Sequence, residues 1–388
     1  MKIFLVVLLF ALVAVPPVRV VAQTPLEINA ILSLTGSAAF LGKQQVEALT
    51  LAEDVVNNHG GVRGQPIHFS IADDQSSPQV AVQLMAALAA KHVPVVLGST
   101  VASTCSAMAP LVEKSGPLEY CASPVFQGSR GSYVFSASTT GKNQALVAAR
   151  FCLEHGWKRV AIIALSDASG QNDVQAFSFA LEARGNHALQ LLANETFNQN
   201  DISVAAQVAR IKSAHPDVVM AYATGTAVGT VLRGFHDAAM NVPIVTSAGN
   251  MQPAQMAQYV SFLPTKLFFI APHGAVPDPG LQSGPIKDAQ DVYFAAFRSA
   301  SIRPGYADIL IWDPAMIIVE TLRHTGSQAN ATQVRAYIEQ LHNWAGIMGM
   351  YDFRDGDQRG LGQDVLVAYG WSVAGDEPVV ASKSGGRL

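Results

Sequence analysis

The chain has 388 residues, 49% of them hydrophobic and only 14% charged, with a formal charge of −4. That length exceeds one ordinary domain and suits two, and the apolar fraction supplies a sizeable core and excludes general disorder. The negative balance, with no basic cluster anywhere, excludes a nucleic-acid binder.

The N-terminus reads as an export signal. Lys2 precedes an apolar run over residues 3–15, and Val20-Val21-Ala22 supplies small residues for cleavage after Ala22. The run is shorter than the ~20 residues of a spanning helix, and no Cys stands at the cleavage point to accept a lipid. Cleavage removes Lys2 and Arg19 and leaves a formal charge of about −6. The expected mature protein is soluble, exported and monomeric. Of three cysteines, Cys105 and Cys121 flank one predicted helix and the strand after it and can pair; three buried thiols acting as small hydrophobes are the alternative.

In chain order, residues 26–34 read as a buried strand ending at Thr35-Gly36. Val46, Leu49, Ala52 and Val56 then recur at helical spacing, and Gly60-Gly61 stops that helix. Ile67, Phe69 and Ile71 alternate as in a strand, Asp73-Asp74 closes it, and Pro78 suits the first turn of the next helix. The run Asn57-Asn58-His59-Gly60-Gly61-Val62-Arg63-Gly64, followed by Asp73-Asp74, resembles the signature of type I periplasmic binding proteins of the leucine/isoleucine/valine-binding family.

The pattern continues with a strand over 93–97, a helix through Leu111 and Val112, and a short segment ending Cys121-Ala122-Ser123. After Tyr133–Ser136 and Thr139-Thr140-Gly141 it restarts. A helix carries Leu146, Ala149 and Leu153; strands follow at 160–165, 188–192, 218–222 and 243–246, with helices at 174–184, 202–213 and 227–239 between them. Such alternation means parallel α/β sheets, and two series mean two lobes. A strand at 267–271, the Pro/Gly-rich loop 272–285 and helices at 288–300 and 314–324 follow. The resemblance implies two Rossmann-like three-layer α/β/α lobes joined by three crossovers: residues 23–139 with 272–344, and 140–271 with 345–388. The strand from Met350 and the Asp355-Gly356 turn resemble the hairpin that closes the second lobe in that family.

No catalytic constellation is present. G-x-S-x-G, S-x-x-K, H-E-x-x-H, C-x-x-C and G-x-x-x-x-G-K are all missing, and no two of the ten histidines stand at metal-ligand spacing. Asp352, Asp355 and Asp357 do not meet the D-x-D-x-D-G spacing of a calcium loop. No cofactor, metal or enzymatic activity is expected.

Binding needs polar groups at strand C-terminal ends, where helix N-termini also offer free N–H groups. Residues 98–104, rich in Ser and Thr, open a helix and form either a carboxylate cradle around Ala102, Ser103 and Thr104 or ordinary N-caps. Ala122 and Ser123 end the next strand; in the second lobe the comparable ends hold Ser169, Thr224, Ala248 and Asn250. Phe40 can wall the crevice, and His273, placed after the third crossover, is a further candidate. The resemblance also exposes departures. An acid that meets the ligand ammonium in the family is replaced by Ala248, and Ser169 and Thr224 stand where Tyr is usual. The family serine that touches the ligand carboxylate aligns with Ala102 or, shifted by one, Ser103; the family disulfide near the Asp-Asp motif has no cysteines here.

A buried ammonium left without its partner costs about 3–5 kcal/mol. The expected ligand is therefore a small carboxylate without an α-amino group, aromatic acids included, unless another acid reaches in; Asp167 is nearest in sequence. The implied role is the solute receptor of an ABC importer, closing by hinge motion and docking on permease subunits. The alternatives are a branched-chain or other amino-acid receptor, a ligand-sensing subunit for a membrane receptor, and a secreted α/β hydrolase that would need Ser169 or Ser103 beside a histidine.

Overall fold

The computed structural model describes residues 24–123, 128–374 and 376–388; the export-signal reading lies outside them. Five parallel strands build the first sheet: β1 (Leu26–Leu32), β2 (Ile67–Asp73), β3 (Val95–Gly98), β4 (Leu118–Cys121) and β5 (Val134–Ser136), in the order β2-β1-β3-β4-β5. Helices α1 (Ala39–Asn58), α2 (Pro78–Ala90) and α3 (Ala102–Val112) connect them. The chain then enters a second sheet through α4 (Gly141–Glu154), β6 (Arg159–Leu165), α5 (Ala168–Glu182), β7 (Gln190–Phe197), α6 (Ala205–Ser213), β8 (Val218–Tyr222), α7 (Thr226–Asp237) and β9 (Ile244–Thr246). The short α8 (Pro253–Met256) leads to β10 (Leu267–Pro272). Next come α9 (Pro285–Ser299), α10 (Tyr306–Thr325) and α11 (Ala331–Ile338). Of these, α10 packs along α1 and α11 touches β4, so the chain has returned to the first sheet. A small hairpin, β11 (His342–Ala345) with β12 (Met350–Asp352), precedes β13 (Leu366–Ser372) and β14 (Glu377–Val380). The second sheet runs β14-β13-β10-β9-β8-β6-β7, antiparallel only at β13 and β14.

Each sheet is covered on both faces, which explains why the parallel strands read as near-continuous apolar runs. On the first sheet, α2 and α3 bury Ala81, Met85, Met108 and Val112 against Ile31, Val96 and Val134. On the second, α4 and α5 bury Phe151, Cys152 and Phe177 against Ile162 and Met220. Two charged groups join the crossings between lobes. The buried Asp313 of α10 accepts from the amides of Ile347 and Met348 and from the Tyr351 hydroxyl at 2.9–3.0 Å. The buried Arg359 guanidinium donates to the carbonyls of Ala137 and Ser138, tying the third crossing to the first.

Several boundaries differ from expectation. Helix α10 starts at Tyr306 rather than Pro314, because residues 306–315 are buried on every side and packing outweighs an internal proline that costs about 3 kcal/mol. Strand β7 extends to Phe197, its polar half lying on a sheet edge, and α6 begins three residues after Ile202, which is 98% exposed. The hairpin ending in β12 turns at residues 346–349, whereas the Asp355-Gly356 turn lies beyond it; β13 and β14, absent from the sequence reading, complete the second sheet.

The C-terminal ends of the first three strands are fastened by one side chain. Asp74, fully buried, accepts from the hydroxyls of Ser33 (2.7 Å) and Ser99 and from the Ser76 amide (2.8 Å). Its neighbour Asp73 accepts from the Thr35 hydroxyl and the amides of Gln75, Leu34 and Thr35. Burial raises the Asp73 carboxyl, but these bonds outweigh it and hold the group below the usual carboxylate range.

Asp74→Ala leaves two hydroxyls and an amide unsatisfied, and we expect a loss of about 2–4 kcal/mol in urea unfolding; a loss below 1 kcal/mol would contradict the clasp. A second prediction concerns Glu119, which is fully buried between Val96 and Val134 in β4, with no hydrogen-bond partner among the described residues for either carboxylate oxygen. Burial pushes its carboxyl well above the ordinary range, so the folded protein holds a proton that the unfolded chain releases. The stability this gives is present in full below the unfolded carboxylate pKa and is lost as pH rises through the folded one. Glu119→Leu should therefore gain stability over wild type as pH rises from 5 to 8, by at most about 1.4 kcal/mol per unit. A difference between the two that is flat with pH in urea titrations would contradict this.

Candidate functional site

Strand order reverses beside β1 and β3 in the first sheet and beside β6 and β8 in the second. In open parallel sheets the crevice outside such points is where ligands sit. Helix α3 opens at the first of them. Its N-cap is Val101, extended at φ −127° and ψ 154°, whose side chain accepts no hydrogen bond, and the first helical bond runs from the Cys105 amide to the Val101 carbonyl at 3.1 Å. Among the described residues the amides of Ala102, Ser103 and Thr104 thus have no side-chain acceptor, so no Ser or Thr caps this helix. Ser103 is exposed and Ala102 half-buried, whereas the buried Thr104 turns its hydroxyl back to the Val101 carbonyl at 2.8 Å. Of the three, Thr104 contributes at most its amide.

The next strand end is fastened to this helix twice. Cys105 and Cys121 form a disulfide with a Cα–Cα distance of 5.9 Å, joining the first turn of α3 to the last residue of β4. The Ala122 amide also donates to the Ser99 carbonyl at 3.1 Å. Ala122 and Ser123 are consequently held beside the α3 N-terminus, both nearly sequestered from solvent. Behind them Gln45 of α1, which the sequence reading missed, accepts from the Thr100 hydroxyl (2.8 Å) and donates to the Ala122 carbonyl (3.3 Å). Thr100 in turn accepts from the Ser33 amide at 2.9 Å. The remaining thiol, Cys152, is buried in the second lobe, where burial pushes it up.

In the second lobe, Thr224 is exposed just after β8, and its methyl lies against Gly249, so it joins the segment from Ala248 to Asn250. It also precedes the N-cap Gly225 of α7, which has no side-chain cap. Asn250 is fully buried and holds its own lobe together, donating to the Ala223 carbonyl (2.7 Å) and the Thr246 hydroxyl (3.0 Å). Ser169 is exposed on the first turn of α5, where its hydroxyl donates to Asp167 at 2.6 Å. Asp167 also accepts from the Gly170 amide at 3.0 Å and so caps α5. That capping role leaves neither Ser169 beside a histidine nor Asp167 reaching toward Ala248.

The two lobes meet at this level. Gln44 of α1 donates to Gln252 at 2.7 Å, and Gly305, the N-cap of α10, lies against both side chains; a Cβ there would fall 2.6 Å from Gln252 Oε1. Phe40, 44% exposed, lies one helical turn before Gln44 on the same face of α1, at the rim of this junction. Gln44 and Gln252 carried no recognisable signal in the sequence, since isolated glutamines read as solvated helix and loop positions.

His273 belongs elsewhere. It directly follows β10, on the second crossing rather than after the third, and is buried. Its Nε2 lies 2.9 Å from Ser384 Oγ and its Nδ1 3.6 Å from Asp278, lining a cavity of about 530 Å³ with Met350 and Val380. Burial lowers its pKa, against the opposing pull of Asp278.

The comparisons agree with this architecture. A family model described as periplasmic binding protein matches residues 25–371. The chain is similar to the Leu/Ile/Val-binding protein BraC3 of Rhizobium johnstonii, 27% identical over 232 residues, which is 59% of this chain and 62% of the relative. It thus spans about three-fifths of the length of the curated relatives it matches. Among solved structures, a type 1 periplasmic binding protein from Bordetella pertussis superposes with a TM-score of 0.77 at 23% identity, covering 92% of this chain and all of the other. The isoleucine complex of LivJ from Streptococcus pneumoniae does so with 0.74 at 17% identity and the same coverage. No helix among the described residues is long and apolar enough to cross a membrane. The chain belongs to the periplasmic binding protein family and has the two-lobed type I fold, in a family of solute-binding proteins rather than enzymes.

Proposed function

We propose that this protein is the periplasmic solute receptor of an ABC importer and captures a small carboxylate-bearing solute between its lobes. The observation that supports this is the uncapped N-terminus of α3, with Ala122 and Ser123 beside it through the disulfide and the Ser99 bond. Three amides without a side-chain acceptor at the positive end of an 11-residue helix suit an anion. Ser103 adds a hydroxyl, Phe40 an apolar rim, and Thr224 and Ser169 polar contacts from the opposite lobe.

The lobes, taken as residues 23–139 with 272–344 and 140–271 with 345–388, close by rotation about the crossings held by Asp313 and Arg359. The closed monomer, exported after cleavage at Ala22, then docks on permease subunits whose partners hydrolyse ATP. On position 248 alone the solute would lack an amino group. The branched-chain amino acids in the names of the relatives favour an amino acid instead, and that choice rests on which acid faces the second-lobe side.

A thermal-shift screen of the mature protein against amino acids, aromatic acids, dicarboxylates and their amides tests the proposal. A true ligand at a hundredfold excess over its Kd stabilises by about 2.7 kcal/mol. The expected result is a shift with carboxylates that their amides do not reproduce. Equal shifts from acid and amide would overturn the anion cradle.

A further inference from the structure

The cavity of about 530 Å³ beside His273 lies at the edge of the second sheet, between β14 with the chain after it and the loop leading into α9. His273 and Ser382 are its buried floor, and Leu281, Ile286, Met350 and Val380 give it apolar walls. Gln282, Ser283 and Ser384 are exposed at its mouth, so it opens to solvent. None of the residues placed at the α3 N-terminus or at the Gln44–Gln252 contact lines it. An apolar pocket of this size with a few converging polar groups is the usual form of a small-molecule site. We propose that it is a second binding site, separate from the inter-lobe crevice, for a primary aliphatic amine. The ammonium head sits between Asp278 and His273, and the chain lies on the apolar walls.

The polar end of this cavity lacks donors. Ser384 engages His273 Nε2 at 2.9 Å, but the buried Nδ1 has no hydrogen-bond partner among the described residues. Asp278 Oδ2 lies 3.6 Å from that Nδ1, too far for a hydrogen bond. Asp278 Oδ1 accepts from the Gly280 amide at 2.8 Å, and among the described residues no Lys or Arg pairs with this carboxylate. Burial lowers the His273 pKa, so near neutral pH the ring is uncharged and does not itself neutralise Asp278. With Nε2–H donating to Ser384, Nδ1 presents a lone pair beside a carboxylate, two acceptors with no donor between them. An ammonium brings three N–H groups and a positive charge, and completes both. Lys383, the one Lys or Arg in the wall, does not do so: it is exposed, and its Nζ donates to the Leu388 carbonyl at 2.7 Å. A carboxylate would instead meet the like charge of Asp278. The N-terminus of α9 opposes a cation only weakly, since Pro285 brings no N–H and Asp288 stands in the first turn. The four apolar side chains beyond the head favour an alkyl chain over a bare inorganic ion.

Calorimetry on the mature protein with hexylamine, 1-hexanol and hexanoate tests this. Wild type should bind hexylamine at least about tenfold tighter than hexanol. Asp278→Asn, which keeps an acceptor for the Gly280 amide, should bring the two within about threefold. Leu281→Trp, which fills the cavity from a loop without a change of charge, should weaken both. Ala102→Pro, which removes an α3 amide, should leave hexylamine binding as it is, so failure of the carboxylate cradle and failure of this site are read separately. Hexylamine binding no tighter than hexanol, or not at all, would overturn the proposal, as would an affinity untouched by Asp278→Asn and Leu281→Trp. Weakening of hexylamine by Ala102→Pro, or its displacement by hexanoate, would also overturn it, because the amine would then share the crevice or a site that accepts anions.

Discussion

The carboxylate of Asp74 is the constraint on which the first lobe's binding edge depends. Parallel strands end in carbonyls and loops that diverge unless something joins them across the sheet. Asp74 does this by accepting simultaneously from Ser33 after β1, Ser99 after β3 and the amide of Ser76 in its own turn. With Ser99 fixed, its carbonyl receives the Ala122 amide, and the disulfide then sets β4 against α3. Each step places a backbone rather than a long side chain. These strand ends are thus tied to one another by short bonds and a disulfide.

The second lobe presents a contrasting surface. Asp167 and Asn250 are occupied in holding helix and strand ends, whereas Thr224 and Ser169 stay exposed. The two halves are thus chemically asymmetric, with an uncapped helix end on one side and exposed hydroxyls on the other. Contact between Gln44 and Gln252, with Gly305 too close for any larger residue to sit comfortably, brings the two surfaces together at the rim.

Much of this was legible from residue order. The spacing of Val46, Leu49, Ala52 and Val56, the glycines at 60, 61 and 64, and the paired aspartates located the first strand–helix–strand unit and the family. Strand ends singled out Ser103, Ala122, Ser123 and Thr224 as candidates, because in open parallel sheets ligands bind there. What stayed hidden depends on packing. The first turns of α10 are buried all round, so no stripe distinguished them from a loop before Pro314. Asn250 erred the other way, since a polar residue at a strand end can equally serve its own lobe.

The claim that the α3 amides hold the solute carboxylate is tested most directly by Ala102→Pro. Position 102 is the first residue of the helix, where proline is tolerated, and Val101 before it is already in the extended conformation that a following proline requires. The substitution removes one amide donor and little else. With a carboxylate ligand from the thermal screen, calorimetry should give an affinity weaker by about tenfold or more, while the unliganded Tm stays within a few degrees of wild type. An unchanged affinity in a folded Ala102→Pro protein would contradict the account.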